Sequence, residues 1–170
     1  RAMRRGFLSC QFILSGSYRV GLANRMQHFQ SGTVRISGFA DSESHIPAHG
    51  KQILGLCAFV RPEFLMDNLG LSTCCIPAAY RTLFHTPEVA NLSLELPLTP
   101  AMWLGVDQLL NCQMTEPVRG VFQYAKTLEL LCLLVAQLNA LRPTARIVGV
   151  SRQAREDQMI LAAEAIYKSE

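Results

Sequence analysis

The side chains that could do chemistry are few and badly spaced for it. Four histidines occur, His28, His45, His49 and His85. A metal site on a strand needs two imidazoles one residue apart with a carboxylate soon after, whereas His45 and His49 stand four apart around Pro47, with Glu43 ahead of them. These read as loop histidines making ordinary hydrogen bonds. Asp41, Glu43, Glu63 and Asp67 form no paired-carboxylate pattern, and no GxSxG, glycine-rich phosphate loop or HExxH is present. Neither a catalytic residue nor a metal or cofactor is expected, and the chain does not read as an enzyme. Six cysteines (Cys10, Cys57, Cys74, Cys75, Cys112, Cys132) lie mostly in apolar runs without a CxxC, which suits reduced thiols in the cytoplasm acting as small hydrophobes. Cys74 and Cys75 stand apart. They are adjacent, in a loop next to Thr73 and Pro77, and such a pair can hold a soft metal or oxidise.

Small-molecule binding is the chemistry left. Phe12, Tyr18 and Trp103 can offer flat apolar surfaces, and Arg35 or His49 can meet a carboxylate or phenolate. Each has a plainer reading: Phe12 and Tyr18 as core, Trp103 as part of a helix surface, Arg35 as a solvated charge. A net charge of +3, with basic residues scattered apart from Arg1, Arg4 and Arg5, leaves no footprint of a nucleic-acid binder.

The elements that must position these residues begin with short strands. Phe7 to Leu14, ended by Ser15-Gly16, reads as one; Ser17 to Ala23 alternates with Tyr18, Val20 and Leu22 on one face. After a turn at Asn24-Arg25 come Met26 to Phe29 and, past Ser31-Gly32, Thr33 to Phe39 with Val34 and Ile36 inward. Beyond the polar Asp41-Ser42-Glu43-Ser44, the run from Ile53 to Val60 reads as a buried strand. This spacing suggests an antiparallel meander closing into a small barrel or jelly roll, with room inside for one ligand. From Pro62 the pattern turns helical. Pro62 opens a short helix ended by Gly70, and Ala78 to Phe84 is a helical turn before the breaker Pro87. Thr99-Pro100 is an N-cap and first turn for a helix to about Cys112, with Met102, Val106, Leu109 and Leu110 on one face.

Val118 to Leu141 is the strongest helix signal in the chain, with no proline inside and one glycine near its start. It is apolar on two sides. Val121, Tyr124, Ala125, Leu128, Cys132 and Val135 form the face expected to pack on its own domain. Gln123, Thr127, Leu130, Leu134, Gln137 and Leu141 follow the four-and-three spacing of a coiled-coil seam and are expected to meet a second copy. The alternative is a helix sandwiched within one domain. Lys126 and Glu129 interrupt the run, which argues against a membrane span of roughly 20 apolar residues. Arg142-Pro143-Thr144-Ala145 reads as a linker, and Ser151 as the N-cap of a last helix carrying Leu161, Ala162, Ala165 and Ile166 along one side. Arg1 in place of an initiator Met, and a last helix without a partner, suggest a piece of a longer protein.

The motifs Leu98-Thr99-Pro100-Ala101-Met102, then Leu109, Asn111-Cys112-Gln113-Met114, Arg119 and Lys126-Thr127-Leu128-Glu129-Leu130-Leu131, resemble the regulatory domain of AraC-family transcription regulators. They are most like its siderophore-responsive, pyochelin-regulator-like branch. Glu156-Asp157-Gln158 before Ile160 to Ala165 is similar to the first helix of that family's DNA-binding domain. The resemblance implies an α+β fold: a small cupin-like antiparallel β-barrel, an α-helical hairpin used for dimerisation, and a terminal helix. The divisions expected are a ligand-sensing barrel over 1–61, a helical part over 62–141, a linker over 142–150 and a truncated DNA-binding domain from 151. The implied partners are a second copy and a small effector, either a ferric siderophore or an apolar metabolite; DNA is contacted only through the missing helix-turn-helix units, and no membrane is involved. A ligand-free oligomerisation module and a cupin-type metalloenzyme are the other readings.

Overall fold

In a computed structural model of the chain, residues 6–16, 30–38, 53–87 and 92–141 are described in full, and Tyr18–Leu22 and Arg25–Phe29 by their backbone. His45, His49, the 142–150 linker and the last helix lie outside the described residues, as do the side chains of Tyr18 and His28.

Among the described residues six strands are formed: β1 (Leu8–Ser15), β2 (Tyr18–Leu22), β3 (Arg25–Phe29), β4 (Thr33–Gly38), β5 (Leu54–Val60) and β6 (Ser93–Pro97). Three α-helices follow or interleave: α1 (Arg81–His85), α2 (Pro100–Leu110) and α3 (Val118–Asn139). Four strands make one antiparallel sheet in the order β5-β1-β4-β6, and β2 pairs with β3 as a separate hairpin. Among the described residues the four-stranded sheet is open, with β5 and β6 at its edges, so these strands by themselves do not close a barrel.

Because side chains alternate across a strand, β1 divides the sheet into two unlike faces. Leu8, Cys10 and Phe12 point one way with Val34, Ile36, Ala58, Val60, Leu94 and Leu96, and all are buried in one core. The helices close that core through Met102 and Val106 of α2 and Leu130, Leu134 and Leu138 of α3, each at 0% exposure. The opposite face carries Ser9, Gln11, Arg35, Cys57 and Glu95. β6 was not foreseen. Leu94 and Leu96 alternate with polar neighbours over only five residues, too short a run to stand out between Pro87 and Thr99-Pro100, and pairing to β4 is what makes it a strand. The stretch from 62 to 141 is therefore not purely helical, and it supplies one edge of the sheet.

The local signals read from the sequence hold in several places. Thr99 caps α2, its Oγ1 accepting from the Met102 amide at 3.2 Å, with Pro100 in the first turn. Gly70, at φ +71°, takes the left-handed conformation that ends the helical turn over Phe64–Asn68. Leu110, placed with Met102 and Val106 by spacing, is instead 40% exposed.

The two faces of α3 are exchanged relative to expectation. Leu130 and Leu134, assigned to a seam with a second copy, are fully buried in this chain's own core, and Gln137 donates from Nε2 to the Pro97 carbonyl at 3.0 Å. Thr127 is half-buried and bonds back to the Gln123 carbonyl at 2.8 Å, while Leu141 packs partly against the core. Of the face expected inward, Val121 and Tyr124 are 69% and 71% exposed, and only Val135 is buried. Periodicity cannot choose between two apolar stripes, but size can. The inward side carries Leu130, Leu131, Leu134, Val135 and Leu138. Burying four leucines and a valine removes more apolar area than burying Val121, Tyr124, Ala125, Leu128 and Cys132, and it leaves the Tyr124 hydroxyl in water. Gly105 of α2 completes the choice, since a Cβ there would stand 3.0 Å from Leu130 Cδ2 and hold the helices apart. α3 is long and apolar enough to cross a membrane by length and composition. Leu130, Leu131, Leu134, Val135 and Leu138 of this helix are buried in the core, while Val118, Val121 and Tyr124 are exposed.

Truncating Leu130 to Ala should open a cavity beside Gly105 and cost about 2–5 kcal/mol. Glu129→Ala, which loses only the surface ion pair with Lys126 at 2.7 Å, should cost less than about 0.5 kcal/mol. Urea denaturation of both variants checks the orientation of α3; equal costs would contradict it.

Candidate effector site on the polar face of the sheet

Register places a row of polar side chains across all four strands. Cys57 of β5 lies opposite Gln11 of β1, Gln11 opposite Arg35 of β4, and Arg35 opposite Glu95 of β6. The next row holds Ser9 with Ser37, and Ser37 with Ser93. The rows are stitched together. Arg35 Nη2 donates to Ser93 Oγ at 2.8 Å, Gln11 Nε2 donates to Ser9 Oγ at 3.2 Å, and Ser9 Oγ lies 3.3 Å from Cys57 Sγ.

Although polar, this face is closed off from water at its centre. Ser9 and Arg35 are each 2% exposed and Ile13 is 3% exposed. A guanidinium held this far from water needs compensating charge and acceptors, because transferring an ion out of water costs several kcal/mol. The Glu95 carboxylate supplies charge at 3.7 Å from Nη1, beyond hydrogen-bond length, and its side chain is 31% exposed. The arrangement is a buried cation with a fork of N–H donors, bonded to the Ser93 hydroxyl and flanked by the Gln11 amide and the Glu95 carboxylate. Such a site favours a planar anionic group, a carboxylate or phenolate, over a neutral one.

Immediately behind this face, Cys10 is inert: burial first, and the neighbouring Cys57 second, push its thiol up to about 12. Tyr80, buried near β6, is likewise raised by burial and then by the Glu95 carboxylate, so it stays a neutral phenol. Among the described residues no group of three or more His, Cys, Asp or Glu is placed to hold a metal ion. A separate apolar groove of about 370 Å³ runs between β5 and the first half of α3, lined by Phe7, Phe59, Phe64, Tyr124 and Leu128. Arg61 caps it, stacked 5.3 Å over the Phe7 ring.

Residues 1–150 match the family model described as the regulatory protein PchR N-terminal domain. The chain belongs to that family of regulatory N-terminal domains. No curated protein and no solved structure gives a significant match. The family match agrees with the pyochelin-regulator-like resemblance carried by the Leu98 to Leu138 motifs and makes a regulatory role the function of this domain.

The structure does not gather the three ligand candidates whose side chains it describes into one place. Of Phe12, Arg35 and Trp103, only Arg35 lies on the polar face of the sheet. Phe12, opposite Val34 and 1% exposed, points into the core between sheet and helices, so it cannot line the same site as Arg35. Trp103 is 47% exposed on α2. Tyr18 contributes only a backbone position in β2, and His49 lies outside the described residues. Sequence reasoning missed Ser9, Gln11, Ser93 and Glu95. The signal for the first two was the alternation Leu8, Cys10, Phe12 against Ser9, Gln11, which marks a strand with one polar face.

A double-mutant cycle tests the charge arrangement. Glu95→Gln removes the anion facing a buried guanidinium and should cost about 1–3 kcal/mol. Combining it with Arg35→Met should recover part of the larger loss from Arg35→Met alone, a coupling of about 0.5–3 kcal/mol. Strict additivity in urea melts would show that the two side chains do not share one site.

Proposed function

We propose that this domain senses a small effector at the Arg35 face and dimerises through α3, as the regulatory part of an AraC-type transcription regulator. The reading rests on the buried guanidinium: a chain of a regulatory family keeps Arg35 and Ser9 buried on the side of the sheet away from its apolar core. The sheet is then one wall of a cupin-like barrel, and the effector is a partly apolar molecule bearing a carboxylate or phenolate, a ferric siderophore or an aromatic metabolite. Binding to the folded state alone raises stability by RT ln(1 + [L]/Kd), about 2.7 kcal/mol at a hundredfold excess over Kd. In a melting screen, wild type should shift upward with dose, Arg35→Lys should shift less at the same dose, and Trp103→Ala should behave as wild type. A library that moves neither melting curve would favour a ligand-free oligomerisation module, and stoichiometric metal in the purified protein would favour the metalloenzyme reading.

The dimer surface is the face of α3 turned outward, not the Leu130–Leu134 stripe. Val118, Val121, Ala125, Leu128 and Cys132 follow one another at steps of three and four, the spacing of a short helix–helix seam, and all but Leu128 are exposed. Val121→Glu with Ala125→Glu should give a folded monomer by sedimentation, its helical circular dichroism unchanged. An intact dimer would move the interface elsewhere.

DNA recognition belongs to helix-turn-helix units of the parent, in a cytoplasmic protein. The 170-residue chain, with a net charge of +3 and basic residues scattered apart from Arg1, Arg4 and Arg5, should associate with DNA only weakly and lose that association between about 50 and 200 mM salt. Tight, sequence-selective binding by this chain in a titration at physiological salt would overturn the division of labour.

A further inference from the structure

We propose that Cys74 and Cys75 form a site of reversible oxidation by hydroperoxides, with Cys74 as the attacking thiol and Cys75 as the one that resolves it. The pair occupies a single helical turn, Thr73–Cys75, in which Cys74 is exposed and Cys75 half-buried. Ser72 Oγ lies 2.9 Å from Cys74 Sγ, placed to donate to the sulfur as a thiolate. Arg81, at the start of α1, is near enough to act on it electrostatically. Consistent with that geometry, the Cys74 thiol is held below its ordinary range, chiefly by the Ser72 hydroxyl and next by the Cys75 side chain. An exposed, acidified thiol beside a second thiol is the combination that oxidises reversibly.

The step balances as follows. Cys74 thiolate attacks the terminal oxygen of ROOH, the O–O bond breaks, and after protonation ROH leaves with Cys74 as a sulfenic acid. Cys75 thiol then attacks Cys74 sulfur, forming S–S and releasing water, so the two thiols lose two electrons and the peroxide gains them. Adjacent Cα atoms stand about 3.8 Å apart, below the roughly 4.4–6.8 Å usual for a disulfide. The bridge is therefore strained and readily reduced, a property of labile rather than structural disulfides.

The location gives oxidation a consequence. The turn is held by Cys75 N–H to the Ser72 carbonyl at 3.1 Å and Ile76 N–H to the Thr73 carbonyl at 3.2 Å. The residue that opens it is fastened to the last turn of α3: Ser72 N–H donates to Asn139 Oδ1 at 2.8 Å, and Asn139 Nδ2 donates to the Gly70 carbonyl at 2.9 Å. A vicinal disulfide distorts the turn and so bears on the clamp at the point where the chain leaves α3.

The test uses the full 170-residue chain with hydrogen peroxide and dimedone, read by peptide mass spectrometry. In wild type the Cys74–Cys75 peptide should lose two hydrogens, reversibly with a thiol reductant, before Cys57 is modified; Cys57 is exposed and serves as the internal control. Cys75→Ser should trap Cys74 as its dimedone adduct, and Ser72→Ala should slow that adduct several-fold while leaving Cys57 unchanged. Oxidation of Cys57 as fast as Cys74, a Cys74 adduct that persists in wild type, or a disulfide from Cys74 to any other cysteine would overturn the proposal.

Discussion

The alternation of side chains from Leu8 to Ile13 of β1 is the constraint on which the rest of the structure depends. β1 is one of the two central strands, paired over those residues to both β5 and β4, so its register fixes which residues of both neighbours share a face. Leu8, Cys10 and Phe12 commit one side to the helices, and Ser9 and Gln11 are then obliged to face the other way. A slip of one residue would place Arg35 among Met102, Val106 and Leu134, at the cost of burying an ion in hydrocarbon. Gly55 guards this register from the β5 side: it lies against the Phe12 carbonyl where any Cβ would collide with backbone.

The same core decides what α3 can do. An amphipathic helix normally has one apolar face, and burying it leaves a polar surface. α3 has two, and the sheet with Gly105 takes the one with larger side chains. Val121, Tyr124, Ala125 and Cys132 are left facing out, a stripe of mostly small side chains that permits close approach of another helix. The outward face is thus a by-product of competition within the fold, and its composition suits a contact that forms after the domain has folded.

What was legible in the sequence follows from how local each signal is. The N-cap at Thr99, the glycine stop at Gly70, the five strands up to Val60 and the extent of α3 depend on neighbours within a few residues, and they were readable. The orientation of α3 was not, because choosing between two apolar stripes requires knowing where Gly105 and the sheet will stand. β6 escaped for a similar reason: five residues acquire strand character from β4, 56 to 64 positions earlier in the paired register. Of the polar row only Arg35 was singled out, since nothing in a linear sequence says that Gln11, Arg35 and Glu95 are cross-strand neighbours. Phe12 and Trp103 drew notice as aromatic residues, and the structure assigns them to core and surface.

In the proposed reading the enclosed cation and the outward stripe of α3 lie on opposite sides of one packed core, so any influence of one on the other must pass through it. The path is short. Arg35 stands between Val34 and Ile36 on β4, whose side chains reach the core cluster that also holds Met102, Val106 and Leu130. Close-packed interiors transmit displacement because they have few voids to absorb it. An anion drawn to Arg35 competes with Glu95 on the edge strand β6, and β6 is where Gln137 of α3 is tied, through the Pro97 carbonyl. A change in how Arg35 shares its charge therefore bears on a strand that is hydrogen-bonded directly to the helix. Neither contact alone makes a switch, since an effector shifts an equilibrium only by its differential affinity for two states. What the fold supplies is the connection: edge strand β6 touches both the buried charge, through Ser93 and Glu95, and α3, through the Pro97 carbonyl.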